Sequence, residues 1–529
     1  MRAAATSFAR FAALGLLPVT ASAAIAQQED HPGRPVYDRW CAGCHGEDGR
    51  GEGDAAGFML PRPRDFTQAL YQVRSTATGS LPTDADILRV IDEGMPGTAM
   101  PGWRDALTER EREDLVTYLK TFSRFFESET VEAIDFGRAP AASDEVLEEG
   151  RQVYQTLECF KCHGEAGRGD GASAPTQEDD TGFPIRPADL TQPWTFNGGG
   201  TVEDIYQRLR TGLDGTPMPS YTDAMEAGIA TEEQLWSVAH YVKSLGGDLP
   251  VAREVVESTR AETVPSSPGD SAWTDVERFW IPLVGQIIVR PRWFAPAVTG
   301  VWVQAVHDGN DIAVRLTWND RSQSPDPTWS EWRSRVMEVM EPHEGPGAAA
   351  ADTTGAAPTV PPAPDAIAIW FPRSPPTGME RPYFFMGNAR QPVYAWQWEN
   401  GTGAREALGR GPGRLETLGG EGNGLTTEAV FDNGQWSVVF RRPLAATDTE
   451  NALSFPAGTA VPMAFFAWDG DNGESDTRGA LSSWYFLQLT EPTPPTLYAT
   501  PLIAVLLTAG IGIFAVGRAQ RRERMSEES

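Results

Sequence analysis

Hydrophobic and polar residues change their pattern several times along the chain. The apolar run Phe11–Val19 follows two arginines and is too short to span a bilayer. Residues 108–119 and 231–242 carry apolar side chains at helical spacing behind a Thr-Glu start, which predicts two helices. After residue 250 this periodicity fades and short alternating segments predict β-strands. Leu497–Gly517 is a stretch of 21 residues without a charge.

The two apolar ends predict an exported chain that is held in a membrane. Residues 1–26 have the cationic start, short apolar run and small-residue Ala24–Ala26 site of a secretory signal peptide. An uncleaved anchor is the alternative, and the run is short for it. Residues 497–517 suit one transmembrane helix, and the arginine-rich residues 518–529 suit a cytoplasmic tail. We therefore expect a single-pass protein of the cytoplasmic (inner) membrane with its globular part in the periplasm.

The alternating segments predict two hairpins. Val301–Val306 and Asp311–Trp318 flank an Asp-Gly turn, and Gln435–Arg441 follows an Asn-Gly turn. Residues 250–490 are therefore predicted to form a mainly-β sandwich domain. The stretch 341–364, rich in Ala, Gly, Thr and Pro, is predicted to be a loop insertion within it.

Composition narrows the classes of function. The 529 residues allow three to four domains of ~150 residues. Acidic residues exceed basic ones by 73 to 44, a formal charge of −29, which argues against nucleic-acid binding because that needs a basic face. Four cysteines are too few for a disulfide framework in so long a chain.

The cysteines belong to a unit that occurs twice. Residues 41–46 read Cys-Ala-Gly-Cys-His-Gly, and 159–164 read Cys-Phe-Lys-Cys-His-Gly, 118 residues later. Cys-x-x-Cys-His is the attachment pattern of c-type haem. A zinc site would need four ligands per copy, and a thioredoxin-like redox pair gives no reason for a following His in both copies. Each copy supplies two thiols for thioether bonds and one imidazole for the iron: Cys41, Cys44 and His45 in the first, and Cys159, Cys162 and His163 in the second.

A methionine in each copy is the candidate for the opposite axial ligand. Met100 and Met218 both follow their histidine by 55 residues, whereas the competing Met95 aligns with Leu213. Gly and Pro on either side favour a loop that presents the side chain, against the alternative of a methionine that fills a core gap. A thioether favours ferrous iron, and two filled axial positions leave no place for substrate, which points to electron transfer.

Residues 31–125 and 145–248 resemble two class I cytochrome c domains. The motifs just described carry the resemblance, and the family's fold is a small helical bundle around the haem. It implies two all-α domains with two covalently bound haem c groups. Arg62, Arg64 and Arg186 lie near the motifs and are candidates to pair with haem propionates.

Residues 250–490 resemble the haem-binding gamma subunit of ethylbenzene dehydrogenase and its relatives, the periplasmic partners of molybdenum enzymes of the DMSO reductase type. The matching segments are short: 303–309, 316–320, 365–372, 385–388, 468–470 and 481–484.

The resemblance implies a haem b held between a Met and a Lys. Met386 fits the Met, but Arg478 stands close to the Lys position and no lysine follows Lys243. A guanidinium stays protonated and offers no lone pair. His307 and His343 are weaker candidates, since His307 beside a turn is more simply solvent-facing. A third haem, of b type, and a haemless docking or spacer module both stay open.

The sequence thus predicts a multidomain chain of two cytochrome c domains, a β-sandwich and one C-terminal transmembrane helix. Its expected function is to pass single electrons between a redox enzyme, with a molybdenum oxidoreductase as one candidate, and a respiratory carrier. No catalytic residue is needed for this. A di-haem enzyme such as a peroxidase would need an open haem with a distal base. A haem-carrying ligand-binding receptor would expose aromatic residues on one sheet face. The acidic surface favours redox partners, soluble cytochromes among them, with a basic patch.

Overall fold

The computed structural model describes most of the chain: residues 30–127, 131–344, 361–374, 382–419, 422–456, 458–490 and 496–527. The predicted signal peptide 1–26 lies outside the described residues, as does most of the predicted loop insertion 341–364. A helical region, a mixed β-sheet domain and a long C-terminal helix follow one another, which confirms the predicted fold class.

The helices lie mainly in the first half of the chain. They are α1 (Arg34–Trp40), α2 (Ala42–His45), α3 (Asp84–Glu93), α4 (Glu109–Lys120), α5 (Asp144–Thr156), α6 (Phe160–His163), α7 (Val202–Thr211), α8 (Thr222–Glu226), α9 (Glu232–Leu245), α10 (Ser330–Glu344) and α11 (Thr496–Glu527). Short 3-10 segments cover Ala56–Phe58, Phe66–Gln68, Arg124–Glu127, Ala174–Thr176, Pro193–Thr195, Ser271–Trp273, Pro327–Trp329 and Gly470–Asn472.

Both helices predicted from periodicity are present, as α4 and α9. Thr108 caps α4 and exchanges hydrogen bonds with Glu111, and Thr231 and Gln234 do the same at α9. Such reciprocal capping satisfies backbone N–H groups that have no partner within the helix.

Each helical domain is closed by a crossing of its first and last long helices. A Cβ on Gly33 would lie 2.3 Å from the Asp114 carbonyl oxygen, and one on Gly150 would lie 2.0 Å from that of Ser237. Glycine is therefore required at both crossings because the two backbones touch there. The equivalent crossings show that the sequence repeat is also a structural repeat.

The β-domain is built from strands that form one continuous, folded sheet. They are β1 (Val255–Arg260), β2 (Phe279–Pro282), β3 (Val284–Gly285), β4 (Gly300–His307), β5 (Asp311–Asn319), β6 (Ala366–Pro372), β7 (Val393–Glu399), β8 (Gly403–Gly409), β9 (Leu415–Thr417), β10 (Thr426–Phe431), β11 (Gln435–Pro443), β12 (Val461–Trp468), β13 (Ala480–Leu481) and β14 (Tyr485–Leu489).

The sheet runs in the order β10-β11-β5-β4-β1-β14-β12-β6-β7-β8-β9. The pairs β1–β14 and β1–β4 are parallel, and the other neighbours are antiparallel. The predicted hairpins are present as β4–β5 and β10–β11. Side chains of β4, β5 and β11 face those of β6, β7 and β12 across the largest hydrophobic core, so the folded sheet packs as a sandwich.

Helix α10 was not predicted and joins the β-domain to both cytochrome domains. It contacts the segments Ala56–Phe58 and Ala174–Thr176, and Trp332 and Met337 lie in a hydrophobic cluster that includes Ala174. The helix reaches Glu344, so the first residues of the predicted loop insertion are helical.

The C-terminal helix is consistent with a single membrane anchor. Within the described residues, Ala499–Glu527 is long and apolar enough to cross a membrane, with a mean hydropathy of 2.2 and none of its apolar stretch buried. The helix begins at Thr496 and continues through the arginines of the predicted tail.

Candidate haem sites

A backbone carbonyl holds the imidazole of each Cys-x-x-Cys-His motif. Nδ1 of His45 lies 3.0 Å from the Arg64 carbonyl oxygen, and Nδ1 of His163 lies 3.0 Å from that of Ala188. This contact fixes the ring and leaves Nε2 for the iron, which is how metal-binding histidines are commonly oriented. Burial lowers the pKa of both imidazoles, which favours the neutral form that ligates metal.

Matching hydrogen bonds shape the loop after each histidine. The N–H of Gly51 donates to the His45 carbonyl at 2.8 Å, and that of Gly169 donates to the His163 carbonyl at 2.8 Å. A tyrosine hydroxyl also donates to the glycine that follows each histidine, from Tyr37 at 2.6 Å in the first copy and from Tyr154 at 2.7 Å in the second. These tyrosines were missed in the sequence because they precede the first cysteine by four and five residues, so the constant displacement does not align them.

The four cysteines are free thiols, each partly buried. Burial raises the pKa of Cys41 to about 12 and that of Cys159 to about 11. Before attachment, the protonated thiol is therefore the favoured form of Cys41 and Cys159. Cys159 shares a hydrophobic cluster with Met218, so the structure brings two predicted haem-binding residues of the second copy together.

The two methionine loops have the same internal geometry. In the first, the N–H of Met95 donates to the Met100 carbonyl at 3.0 Å, and Thr98 Oγ1 accepts from the Met100 N–H at 3.1 Å. In the second loop, the N–H of Leu213 donates to the Met218 carbonyl at 3.1 Å, and the Met218 N–H donates to Thr216 Oγ1 at 3.2 Å. The loops thus equate Met100 with Met218, as the sequence alignment did.

The first domain also holds buried polar atoms without a protein partner. Tyr71 Oη and Trp103 Nε1 are inaccessible and make no hydrogen bond to the described residues. Trp103 packs in the same hydrophobic cluster as Cys41. Unpaired buried donors cost free energy unless another group accepts from them. Together with thiols and a free imidazole nitrogen, they fit a haem whose propionates bring acceptor oxygens.

Two of the three candidate propionate arginines bind elsewhere. Arg62 donates to the carbonyls of Ala56 and Val339. Arg186 reaches into the β-domain and donates to Asn472 and to the Pro296 carbonyl. The contacts of Arg62 and Arg186 therefore join domains, and they give no support to a role at the propionates. The side chain of Arg64 makes no hydrogen bond to the described residues, and the prediction stays open there.

Met386 is buried, with a φ of +57° that is uncommon for a residue with a side chain. It belongs to a buried hydrophobic cluster that also includes Phe385 and Phe466. The guanidinium of Arg478 offers no lone pair to iron. Whether Met386 binds a haem b stays a prediction.

The remaining histidines have structural contacts where their side chains are described. His307 is 1% exposed, and its Nε2 lies 3.0 Å from the Thr490 carbonyl, so the expectation of a solvent-facing side chain was wrong. The strand end is covered by the residue that follows β14. His240 in α9 is buried and its Nε2 lies 2.9 Å from the Pro140 carbonyl.

Comparison with protein families matches both helical domains. Residues 28–119 match the family of cytochrome c oxidase cbb3-type subunit III, and residues 147–246 match the cytochrome c family.

Relatives with known descriptions extend the similarity. The chain is 29% identical over 49% of its length to a respiratory nitrate reductase haem subunit of Haloferax mediterranei, covering 80% of that protein. It is 25% identical over 35% of its length to chlorate reductase subunit gamma of Ideonella dechloratans, of which it spans 63%, less than two thirds.

A solved chain of the reducing HAO-like protein complex of Kuenenia stuttgartiensis matches at 46% identity, with a TM-score of 0.38, over 41% of this chain and 96% of that one.

The repeated site geometry and the family matches agree with one another. This chain therefore carries two cytochrome c domains and is similar to the haem subunits of nitrate and chlorate reductases.

Proposed function

We propose that the chain is an exported, membrane-anchored di-haem c-type cytochrome that passes single electrons between a redox enzyme and a respiratory carrier. The observation that carries this proposal is the duplicated site framework, in which each histidine, its carbonyl partner and a methionine loop recur with the same hydrogen bonds. When bound, each haem iron takes up and releases one electron. The thiols Cys41, Cys44, Cys159 and Cys162 form its covalent attachment.

The protein's part would be to hold in place the histidine and methionine side chains that bind each haem. His45 and His163 are fixed by backbone carbonyls, and Met100 and Met218 are presented from loops whose own backbone hydrogen bonds define them. Rigid ligands need little rearrangement when an electron arrives, and the surrounding apolar side chains set the potential.

Carbon monoxide distinguishes this proposal from a di-haem enzyme such as a peroxidase. A six-coordinate ferrous haem has no site for carbon monoxide, whereas a peroxidase haem must be open. We expect the spectrum of the reduced full-length protein to stay unchanged under carbon monoxide. Formation of a carbon monoxide complex at either haem in the unmodified protein would contradict electron transfer as its sole function.

The redox enzyme that we propose as partner is a molybdenum oxidoreductase. The relatives named as nitrate and chlorate reductase subunits support this, as does the resemblance of residues 250–490 to gamma subunits of such enzymes. Affinity capture of the intact complex from its native membrane, followed by elemental analysis, tests it. We expect molybdenum in about one equivalent per chain, and a purified complex without molybdenum would contradict this partner.

A third haem, of b type, on Met386 is the less supported extension of this proposal. Its support is the buried methionine with a left-handed backbone, since strained residues often lie at functional sites. Two observations weigh against a third haem: Met386 lies among packed aromatic side chains, and Arg478 stands close to the position where the family has a lysine. Acid–acetone extraction decides, because haem c stays with the protein: extracted haem would support a third site, and none would leave a haemless docking module.

The receptor hypothesis has little support. A ligand-binding receptor would expose aromatic residues on one sheet face. In the described part of the β-domain, Tyr383 is the single large aromatic residue that is exposed. Trp318 and Trp396, both in strands, are buried in the largest core, and Trp302 is half-buried.

A further inference from the structure

Arg64 contacts the machinery of both haem sites. Its carbonyl oxygen accepts from His45 Nδ1 at 3.0 Å in the first domain. Its guanidinium lies against the methionine loop of the second, where a Cβ on Gly215 would be 2.7 Å from Arg64 Nη1. Gly215 has a φ of +80° and precedes Met218 by three residues. The left-handed backbone therefore favours glycine at this position, and the guanidinium occupies the space beside it.

The guanidinium of Arg64 has no hydrogen-bond or ion-pair partner among the described residues. Burial lowers its pKa, and the carboxylates of Asp179, Asp180 and Asp214 act in the opposite direction. Tyr71 packs against the same hydrophobic cluster as Cys41, and its Oη is buried and also has no partner among the described residues. Burial raises the pKa of Tyr71, and the positive charge of Arg64 opposes that shift. A guanidinium fork and a hydroxyl each suit an anionic oxygen ligand.

The loops that present the two methionines both touch the opposite domain. A Cβ on Gly97, in the Met100 loop, would lie 2.5 Å from the Thr195 carbonyl oxygen of the second domain. Asp214, next to Gly215, forms an ion pair with the buried Arg74 of the first domain, with 2.7 Å between Asp214 Oδ1 and Arg74 Nη2. The domains are therefore fixed against each other at the elements that present both axial methionines, with Arg64 at that contact.

We propose that Arg64 links the two haem sites electrostatically. Its guanidinium and the Tyr71 hydroxyl bind a propionate carboxylate of the haem attached at Cys41 and Cys44, and its positive charge raises the reduction potential of both haems. A cation stabilises the reduced iron, which carries one positive charge fewer. The inference rests on the proposed function, because it needs both haems.

The second copy offers an internal comparison. Ala188 occupies the position of Arg64, since its carbonyl accepts from His163 Nδ1 at the same distance of 3.0 Å. The second site therefore has no cation of its own at this position. Arg64 supplies one across the domain contact.

Redox titration of the full-length protein in detergent tests the link. We would use a Met218→His background, which lowers the second potential and separates the two waves. Arg64→Gln is expected to lower both reduction potentials. At the first haem the equilibrium constant for reduction should fall about tenfold, which corresponds to a potential lower by about 59 mV. At the second haem the constant should fall by a smaller, measurable factor. Arg64→Met keeps the stem that packs on Gly215 and is a second neutral variant should the Gln variant mature poorly.

Arg50→Gln is the matched control. It removes a cation from the loop after His45, but that side chain is 61% exposed and screened by solvent, so both waves should stay in place. A shift of the first wave alone would overturn the link, and so would a shift of neither wave. Haem content is measured on every sample: fewer than two covalent haems in the unmodified protein would contradict the proposed function instead.

Discussion

At the scale of single residues, one hydrogen bond decides what each histidine can do. Nδ1 of His45 and of His163 is taken by a backbone carbonyl, so only Nε2 is available. His240 and His307 have Nε2 occupied by carbonyls instead. The histidines thus differ in which ring nitrogen is free: Nε2 in the two motifs, and Nδ1 in His307, where it is buried without a partner among the described residues.

Replacing Met100 by Leu tests the assignment of the axial thioether. Leucine fills similar space but cannot bind iron, so the reduced variant should bind carbon monoxide at one haem per chain, and that haem's potential should fall. The measurement is a carbon monoxide difference spectrum with a redox titration. Met95→Leu is the matched control in the same loop and should behave as the unmodified protein. Carbon monoxide binding by the Met95 variant, with none by the Met100 variant, would reverse the assignment.

At the scale of elements, local signals in the sequence were enough for the capped helices and the hairpins. The Thr-x-x-Glu and Thr-x-x-Gln motifs that begin α4 and α9 form their hydrogen bonds within one helical turn. The hairpin turn after β4 is formed by three residues. Helix α10 was missed although Trp332, Val336 and Met340 have helical spacing, because it interrupts a region of strand pattern. Its partners lie far away in sequence, on the cytochrome domains. The carbonyls of Arg64 and Ala188 were missed because backbone acceptors leave no signature in residue type.

Removing the cap of α4 should loosen that helix. Thr108→Ala deletes the side chain that accepts from the Glu111 N–H at 3.3 Å, a change that typically costs about 1 kcal/mol. We expect amide hydrogen exchange in the first turn of α4 to speed up by about fivefold. Thr117→Ala, an exposed substitution in the same helix, is the control and should leave that exchange unchanged or slower. Equal exchange in both variants would contradict a contribution from the cap.

At the scale of the whole molecule, the domain order could be read from the sequence but the contacts between domains could not. Arg186 extends from the second cytochrome domain into a buried polar cluster of the β-domain, beside Asp469 and Glu474. Burial raises the pKa of both carboxyls, Glu474 to about 7. Such a network depends on three chain segments meeting, which no local pattern specifies.

Arg186→Ala should weaken the attachment of the cytochrome domains to the β-domain. The variant loses the hydrogen bonds to Asn472 and the Pro296 carbonyl and leaves buried carboxyls without their cation, a change that typically costs a few kcal/mol. We expect faster hydrogen exchange at the contact, in residues 293–297 and 470–474, with haem content unchanged. Arg151→Ala, at an exposed site, is the control. Loss of haem with an intact contact would show instead that Arg186 serves the haem.

The acidic surface should steer basic partners. A formal charge of −29 attracts a basic soluble cytochrome over distances that salt shortens. The second-order rate of electron transfer to such a cytochrome, measured by stopped flow, should fall as ionic strength rises. An uncharged small-molecule oxidant is the control and should show no such trend. A flat salt dependence with the basic cytochrome would contradict steering.

The count of covalently bound haem per chain tests the central claim most directly. It is measured as the pyridine haemochrome of protein matured together with a cytochrome c assembly system, after acid–acetone extraction has removed any haem that is not covalently bound. The account predicts two haem c per chain remaining with the protein, and one after Cys159 and Cys162 are both replaced by Ala. Haem that is fully extracted, or a chain that matures without colour, would contradict it.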